Sequence, residues 1–169
     1  MTGIVLQVNL SAGGVPKRPV PLGTLSKTGF HNDAFAHPQI HGGLYQAVLL
    51  IANETIKELV ALGYPVYPGA LGENLTTSGL NPKQWRIGQQ FRVGSARIEL
   101  TKPRAPCRTL DIYGLGRNGI PIQKMIYNSQ VKHGDPSSDY WGLSGFYARI
   151  LQPGEVMPGS PVALESALV

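Results

Sequence analysis

Short hydrophobic runs, most of them ended by glycine, proline or a polar turn, form the main pattern of this chain. They predict seven or eight short strands, and the clearest of these cover residues 3–9, 47–52, 71–77, 91–93, 96–101, 146–151 and 161–164. Residues 19–28 predict a further, irregular strand with Val20, Leu22 and Leu25 directed inward. Turn signals at roughly ten-residue spacing are typical of a closed or nearly closed β-barrel.

One segment shows a clear helical pattern, and a second shows a weaker one. Asn53 is a good N-cap, Ile56, Leu59 and Val60 share one face, and Gly63 predicts the end of this helix. The weaker pattern covers residues 122–131. The predicted fold class is therefore mainly β, a barrel-like fold with one or two short helices.

Composition agrees with this prediction. The 169 residues include 21 glycines and 14 prolines, spread along the chain, which favours short elements joined by tight turns. The length predicts a single domain over residues 1–169. No apolar run is long enough to cross a membrane, the N-terminus does not resemble a signal peptide, and the one cysteine needs no oxidising compartment. We therefore expect a cytoplasmic protein without a membrane partner.

The net charge of +5 indicates an anionic partner. The 15 basic residues form no run longer than Lys17-Arg18 and do not alternate with aromatic residues, so the sequence does not favour a nucleic-acid partner. A phosphate-bearing cofactor would be enough to use this charge.

The segment around the single cysteine carries the strongest chemical signal. Pro103 and Pro106 stiffen the backbone directly after a predicted strand, so a rigid loop presents Cys107. Arg104 and Arg108 flank the cysteine, and neighbouring guanidinium groups favour the thiolate, which is both a nucleophile and a metal ligand. The competing explanation is a buried structural cysteine.

A second candidate site lies in the polar loop over residues 29–43, which contains three of the four histidines. His41 is followed by Gly42 and Gly43, which puts a titratable ring beside backbone amides that could bind an anion. The glycines could equally serve only the turn. His37 and His41 imitate the spacing of a zinc pair, but Pro38 argues against the helix that such a pair needs.

Further polar candidates stand at two other turns. Glu73 and Asn74 follow Pro68-Gly69 and Gly72 and could bind a heterocycle with mixed donor and acceptor edges, or simply order the turn. Lys17 ends a Gly-Gly loop that lacks the P-loop pattern, although its ammonium could still contact a phosphate. A hydrolase that uses Cys107 with His41 is conceivable, but sequence alone does not bring the two together.

Taken in order, these pieces resemble the MOSC domain, a module found at the C-terminus of molybdenum cofactor sulfurases and as small stand-alone bacterial proteins. The resemblance covers nearly the whole chain. The matching residues are Ser11, Pro16-Lys17, Pro19-Val20, His41-Gly42-Gly43, Ala47-Val48, Pro68-Gly69, Gly72 to Thr76, Gly79-Leu80, Ile87-Gly88, Pro106-Cys107, Trp141 to Arg149, Pro153-Gly154 and Pro158-Gly159.

The resemblance implies a barrel-like fold and a molybdenum cofactor (Mo-molybdopterin) whose metal is bound by the cysteine at position 107. It implies a site for the pterin and its phosphate, and the candidates for that site are Lys17, His41, Gly42, Gly43, Glu73, Asn74 and Arg104. Arg108 is a further candidate anion contact.

Family members of known activity reduce N-hydroxylated compounds with electrons from a flavin or iron–sulfur protein or domain. This sequence has neither the cysteines for an iron–sulfur cluster nor a flavin fingerprint, so we expect a separate electron donor. The leading hypothesis is a reductase of N-hydroxylated compounds. A second is a carrier that holds the cofactor, or a persulfide received from a cysteine desulfurase, at Cys107. A third is a barrel-fold binding module with a structural cysteine.

Overall fold

A computed structural model of the chain describes residues 1–35 and 42–166. The described residues form eleven strands: β1 Thr2–Leu10, β2 Arg18–Val20, β3 Gly23–Ser26, β4 Gly29–Phe30, β5 Val48–Ala52, β6 Leu75–Ser78, β7 Gln90–Val93, β8 Ala96–Pro103, β9 Phe146–Gln152, β10 Gly154–Val156 and β11 Pro161–Ser166. The α-helices are α1 Asn53–Ala61, α2 Ile122–Ile126 and α3 Ser129–Lys132, and 3-10 helices cover Leu44–Gln46, Pro82–Gln84 and Arg108–Tyr113.

Seven strands close into a barrel, which confirms the predicted fold class. Their order is β11-β7-β8-β9-β5-β6-β1, and β1 pairs again with β11 to close the ring. All pairs in this ring are antiparallel except β5 with β6. β2 extends the sheet from the second half of β1, and β10, β3 and β4 form a small separate sheet.

The barrel is filled by side chains that alternate along its strands. Ile98 and Leu100 of β8 point inward, as their spacing predicted, and Phe91 and Val93 of β7 lie opposite. Trp85 and Trp141 cover one part of this core, and both meet Phe146 edge to face.

β5 is buried on both faces. One face belongs to the barrel core, and the other packs on a second cluster that includes Ile56 and Leu59 of α1 and Leu71. This explains why all five β5 residues are apolar and buried, and it confirms the strand predicted there. The parallel β5–β6 pair requires a crossover connection, and α1 provides it.

Helix α1 ends before Gly63 as predicted, with a φ of 92° at that glycine, but its N-cap and its buried face differ from the prediction. It starts directly after β5, so Asn53 is its first residue instead of its N-cap, and its N-cap Ala52 gives no side-chain hydrogen bond. Val60 is 48% exposed and does not share the buried face of Ile56 and Leu59. The N-cap prediction is wrong because β5 and α1 are joined without a loop.

Three further predictions need correction. The strand predicted over 71–77 starts only at Leu75, because the preceding residues form the turn that carries Glu73 and Asn74. The helix predicted over 122–131 divides into α2 and α3, where Asn128 is extended and its side chain accepts a hydrogen bond from the Val131 amide. Leu22 is 43% exposed, since the irregular strand divides there into β2 and β3.

Within the part of the chain that the structure describes, no helix is long and apolar enough to cross a membrane.

Candidate functional site

A cleft on the outside of the barrel brings distant parts of the chain together. Its empty volume is about 570 Å³, part of which is open to solvent. It is lined by the loop after β1, the described residues before position 36, the start of β5, the turn before β6, the loop after β8 and one residue of β9. Its lining includes Lys17, Asn74, Arg104 and Cys107, four of the residues that the sequence singled out.

Cys107 stands at the start of the 3-10 helix that follows β8. It is half-buried, and its Sγ lies 2.9 Å from the hydroxyl oxygen of Thr109. Its carbonyl oxygen accepts hydrogen bonds from the Leu110 amide and from Nε2 of Gln123. Leu110 is fully buried, so the segment that presents the thiol is anchored in the core.

Arg104 is the buried cation of the site. Only 4% of the residue is exposed, and its Nη2 donates a hydrogen bond to the Leu71 carbonyl at 2.8 Å. Among the described residues, no hydrogen-bond partner faces its Nη1. Burial lowers the pKa of Arg104, while the neighbouring Tyr147, Cys107 and Glu73 oppose that shift. Arg104 also hydrogen-bonds with Tyr147, but its Nη1 has no partner among the described residues, so a ligand that reaches this atom would meet a desolvated, charged donor.

Glu73 lies behind Arg104 and does not line the cleft. It is completely buried, and its Oε1 accepts hydrogen bonds from the Gly69 amide at 2.6 Å and from the Thr76 hydroxyl at 2.8 Å. Burial raises the pKa of Glu73, and these hydrogen bonds and Arg104 act against it. We therefore interpret Glu73 as a group that orders the turn and partly offsets the positive charge of Arg104 from the protein interior.

Gly69 fixes this turn against the loop that carries Lys17. Its φ is 93°, and a Cβ at this position would lie 2.3 Å from the Lys17 carbonyl oxygen. The Gly69 carbonyl accepts a hydrogen bond from the Lys17 amide at 2.9 Å. Only glycine combines this conformation with this approach, which explains the Pro68-Gly69 motif.

Lys17 lines the cleft, but its charge is already paired. Its Nζ lies 2.6 Å from Oδ1 of Asp33, and the side chains are 7% and 3% exposed. The same Oδ1 also accepts a hydrogen bond from the Ser11 amide. Nζ of Lys17 further lies 5.7 Å from the centre of the Phe35 ring. Asp33 is not apparent as a site residue from the sequence, because its partners are far away along the chain.

Asn74 uses its whole side-chain amide inside the protein. Its Oδ1 accepts a hydrogen bond from the Leu49 amide at 3.1 Å, and its Nδ2 donates to the Asn9 carbonyl and to Oδ2 of Asp33. Asn74 therefore ties β5, β1 and the Asp33 loop together. It contributes a wall of the cleft instead of a free donor.

The remaining sequence candidates lie elsewhere. Arg108 does not line the cleft; its side chain is 99% exposed and lies 3.9 Å from Asp111. Gly42 packs against the Phe35 ring, and Gly43 precedes a 3-10 helix, but neither lines the cleft. His41 and His37 lie outside the described residues, so the histidine–cysteine pair and the histidine pair stay predictions.

Tyr147 is the second functional candidate that sequence reasoning missed. It is buried in β9 and lines the cleft beside Arg104 and Cys107. Burial raises the pKa of its hydroxyl, which therefore carries its proton at neutral pH. The sequence signal that could have identified Tyr147 is the run Phe146-Tyr147-Ala148. A strand that is apolar at successive positions must be covered on both faces.

The described residues contain no group of three or more His, Cys, Asp or Glu side chains that could hold a metal ion by themselves. A metal that arrives inside an organic cofactor needs fewer protein ligands, and Cys107 offers one soft ligand at the cleft.

Comparison with known proteins shows the family. The MOSC domain model matches residues 37–163, about three quarters of the chain. The chain belongs to the MOSC domain family. This family is associated in general with binding of the molybdenum cofactor.

Two relatives support the MOSC assignment. YflK of Bacillus subtilis is 31% identical over 157 residues, which are 90% of this chain and 63% of YflK. YiiM of Escherichia coli is 27% identical over 146 residues, which are 84% of this chain and 58% of YiiM. The chain therefore spans less than two thirds of the length of either relative.

Solved structures show the same fold. The crystal structure of YiiM from Geobacillus stearothermophilus superposes with a TM-score of 0.68 at 23% identity, and the match covers 97% of this chain and 75% of that one. YuaD of Bacillus subtilis gives a TM-score of 0.67 at 16% identity, covering 96% and 94% of the two chains.

Proposed function

We propose that this MOSC protein binds the molybdenum cofactor in the cleft, with Cys107 as the protein ligand to the metal. The observation that carries this proposal is the convergence in one cleft of Cys107 and Arg104, whose Nη1 has no partner among the described residues. A concave surface that combines apolar walls with a few polar groups is typical of small-molecule sites.

The residues present fit such a cofactor. The half-buried thiol of Cys107 supplies a soft ligand at the cleft. Arg104 would bind the phosphate or an acceptor edge of the pterin through Nη1, because that donor is buried and unpartnered among the described residues. Lys17 would contribute less than its charge suggests, since Asp33 neutralises it.

The reaction we propose is the reduction of N-hydroxylated compounds. When bound, the cofactor would supply a redox-active metal for removal of the oxygen atom. The protein would hold the cofactor through Cys107, and the Tyr147 hydroxyl would hold a proton beside the cleft. Electrons would come from a flavin or iron–sulfur electron-transfer protein. A cytoplasmic location remains a prediction from the sequence.

The second candidate is a carrier of the cofactor or of sulfur. It is favoured by the partial exposure of Cys107, because a thiol near solvent can be reached by a donor protein. In this reaction the Cys107 thiolate would attack the outer sulfur of a desulfurase persulfide. Cys107 would become a persulfide, and the desulfurase cysteine would leave as its thiolate.

An assay of variants separates these functions. The wild type and the variants Cys107→Ala, Arg104→Ala and Arg92→Ala would be expressed in a host that makes the cofactor and assayed for hydroxylamine reduction with an added electron donor. We expect turnover to vanish in Cys107→Ala and to fall in Arg104→Ala. Arg92→Ala should retain it, since Arg92 is exposed on β7 and pairs with Glu165. Turnover by Cys107→Ala would contradict the reductase.

The carrier is tested on the same wild-type protein by mass spectrometry after incubation with a cysteine desulfurase and cysteine. One extra sulfur atom on Cys107, without hydroxylamine reduction, would favour the carrier. An unmodified thiol with turnover would favour the reductase.

A further inference from the structure

A second depression lies beside the cleft and shares part of its lining. This basic groove has an empty volume of about 970 Å³, part of which is open to solvent. Gln46 and Tyr147 line both the cleft and the groove. The end of β8 and the segment after it contribute to both as well, because Arg104 lines the cleft while Lys102 and Ala105 line the groove. The groove and the cleft are therefore neighbours that share a wall.

The groove has a positive charge with no acid to balance it. Lys102, Lys132 and His133 line it, and its lining contains no Asp or Glu. Neither Lys102 nor Lys132 forms an ion pair with a carboxylate of the described residues, unlike Lys17. Two unpaired ammonium groups on one concave surface favour a bound anion.

Buried residues fix the positions of these basic side chains. Val131 is 1% exposed and fixes helix α3, and the cap from Asn128 orders the start of this helix. Lys132 and His133 follow Val131 directly at the end of the helix. Nζ of Lys102, near the end of β8, lies 5.8 Å from the centre of the Tyr147 ring. The two lysines of the groove therefore come from different elements, β8 and α3.

Other parts of the groove lining are apolar. Ile87 and Tyr127 line the groove together with Pro103 and Val131, and Ile87 is 44% exposed. An exposed isoleucine in a concave surface offers contact area to an apolar or planar ligand body. The surface therefore combines the two features that recognise an anion carried on a ring.

We propose that the basic groove binds the anionic part of the substrate, a phosphate or carboxylate attached to a planar apolar body. This rests on the proposed function, because the reacting end of the substrate would lie in the cleft beside Cys107. The groove would then select negatively charged substrates over neutral ones of the same size.

Binding of phenyl phosphate to the purified chain tests the groove without any cofactor. Benzoate, inorganic phosphate and neutral benzyl alcohol serve as comparison ligands, and NMR titration gives the Kd and the residues affected. We expect phenyl phosphate to bind at the groove more tightly than inorganic phosphate or benzyl alcohol. Each of Lys102→Gln and Lys132→Gln should weaken binding by about two- to fivefold, and the double variant by roughly tenfold. Lys124→Gln, an exposed lysine of α2 outside the groove, should change nothing.

The possible results lead to different conclusions. Equal binding of phenyl phosphate and benzyl alcohol, or unchanged binding in the double variant, would overturn the groove proposal. Binding of inorganic phosphate as tight as that of phenyl phosphate would overturn the role of the apolar walls. Benzoate binding as tight as that of phenyl phosphate would assign carboxylates as well as phosphates to the groove. None of these results depends on molybdenum content, so a failed groove and a failed cofactor site are distinguished.

Discussion

The buried pair of Lys17 and Asp33 gives the sharpest test of how the cleft is built. Asp33 accepts hydrogen bonds from three donors: Nζ of Lys17 at 2.6 Å, the Ser11 amide at 2.9 Å and Nδ2 of Asn74 at 2.8 Å. Asp33→Ala would leave all three without this acceptor, including an ammonium group that is only 7% exposed. A buried charge that loses its partner is strongly destabilising.

The stability that Asp33→Ala is expected to lose can be compared with the loss in a variant of its partner, Lys17. Removal of one member of a buried ion pair costs about 3–5 kcal/mol, which for a chain of this length lowers Tm by roughly 6–20 °C. Lys17→Met should cost less, about 1–3 kcal/mol, because Asp33 keeps the Ser11 and Asn74 donors. The double variant should cost less than the sum, with a coupling of about 2 kcal/mol.

Urea unfolding followed by circular dichroism measures these free energies, with the exposed Asp139→Ala as the matched control. Asp139 lies on the surface, so its variant should stay within about 0.5 kcal/mol of the wild type. The prediction is contradicted if Asp33→Ala is as stable as Asp139→Ala, or if Lys17→Met loses more free energy of unfolding than Asp33→Ala. Either result would mean that the carboxylate does not hold this loop together.

Two further predictions concern the turn behind Arg104. Tyr113→Phe should lower the free energy of unfolding by about 1–2 kcal/mol, because it leaves the Ala70 carbonyl without its buried donor. Tyr67→Phe, at an exposed tyrosine, is the control. Equal effects of the two variants in urea unfolding would contradict the prediction. Since burial raises the pKa of Glu73, the folded state holds this proton to a higher pH than the unfolded chain, so stability should fall as pH rises above the ordinary range of glutamate. Glu73→Gln should flatten that fall across a pH series of urea titrations, and an unchanged slope would refute it.

Local sequence predicted the parts of the site that depend on neighbouring residues. The β8 alternation and the prolines after it placed Cys107 on a rigid loop, and the structure brings its neighbour Arg104 into the same cleft. The same reasoning put Arg108 beside the ligand, yet its side chain is almost fully exposed. Arg108 is adjacent to Cys107 in sequence, but its side chain does not enter the cleft, because a 3-10 helix begins at Arg108.

Contacts between distant residues could not be predicted in this way. Asp33 meets Lys17 across 16 positions and Asn74 across 41, and no periodic pattern encodes either contact. Tyr147 reaches the cleft because β9 pairs with both β5 and β8 in the closed barrel. The sequence therefore predicts which loops carry chemistry, whereas barrel closure determines which of their side chains meet.

The central claim, that Cys107 binds the metal of the cofactor, is tested most directly by the molybdenum content of purified protein. The wild type, Cys107→Ser and the control Arg92→Ala would be expressed in a host that makes the cofactor and analysed by mass spectrometry of the metal. The account predicts near-stoichiometric molybdenum in the wild type and in Arg92→Ala, and its loss in Cys107→Ser. Equal molybdenum in wild type and Cys107→Ser, or none in any of the three, would contradict it.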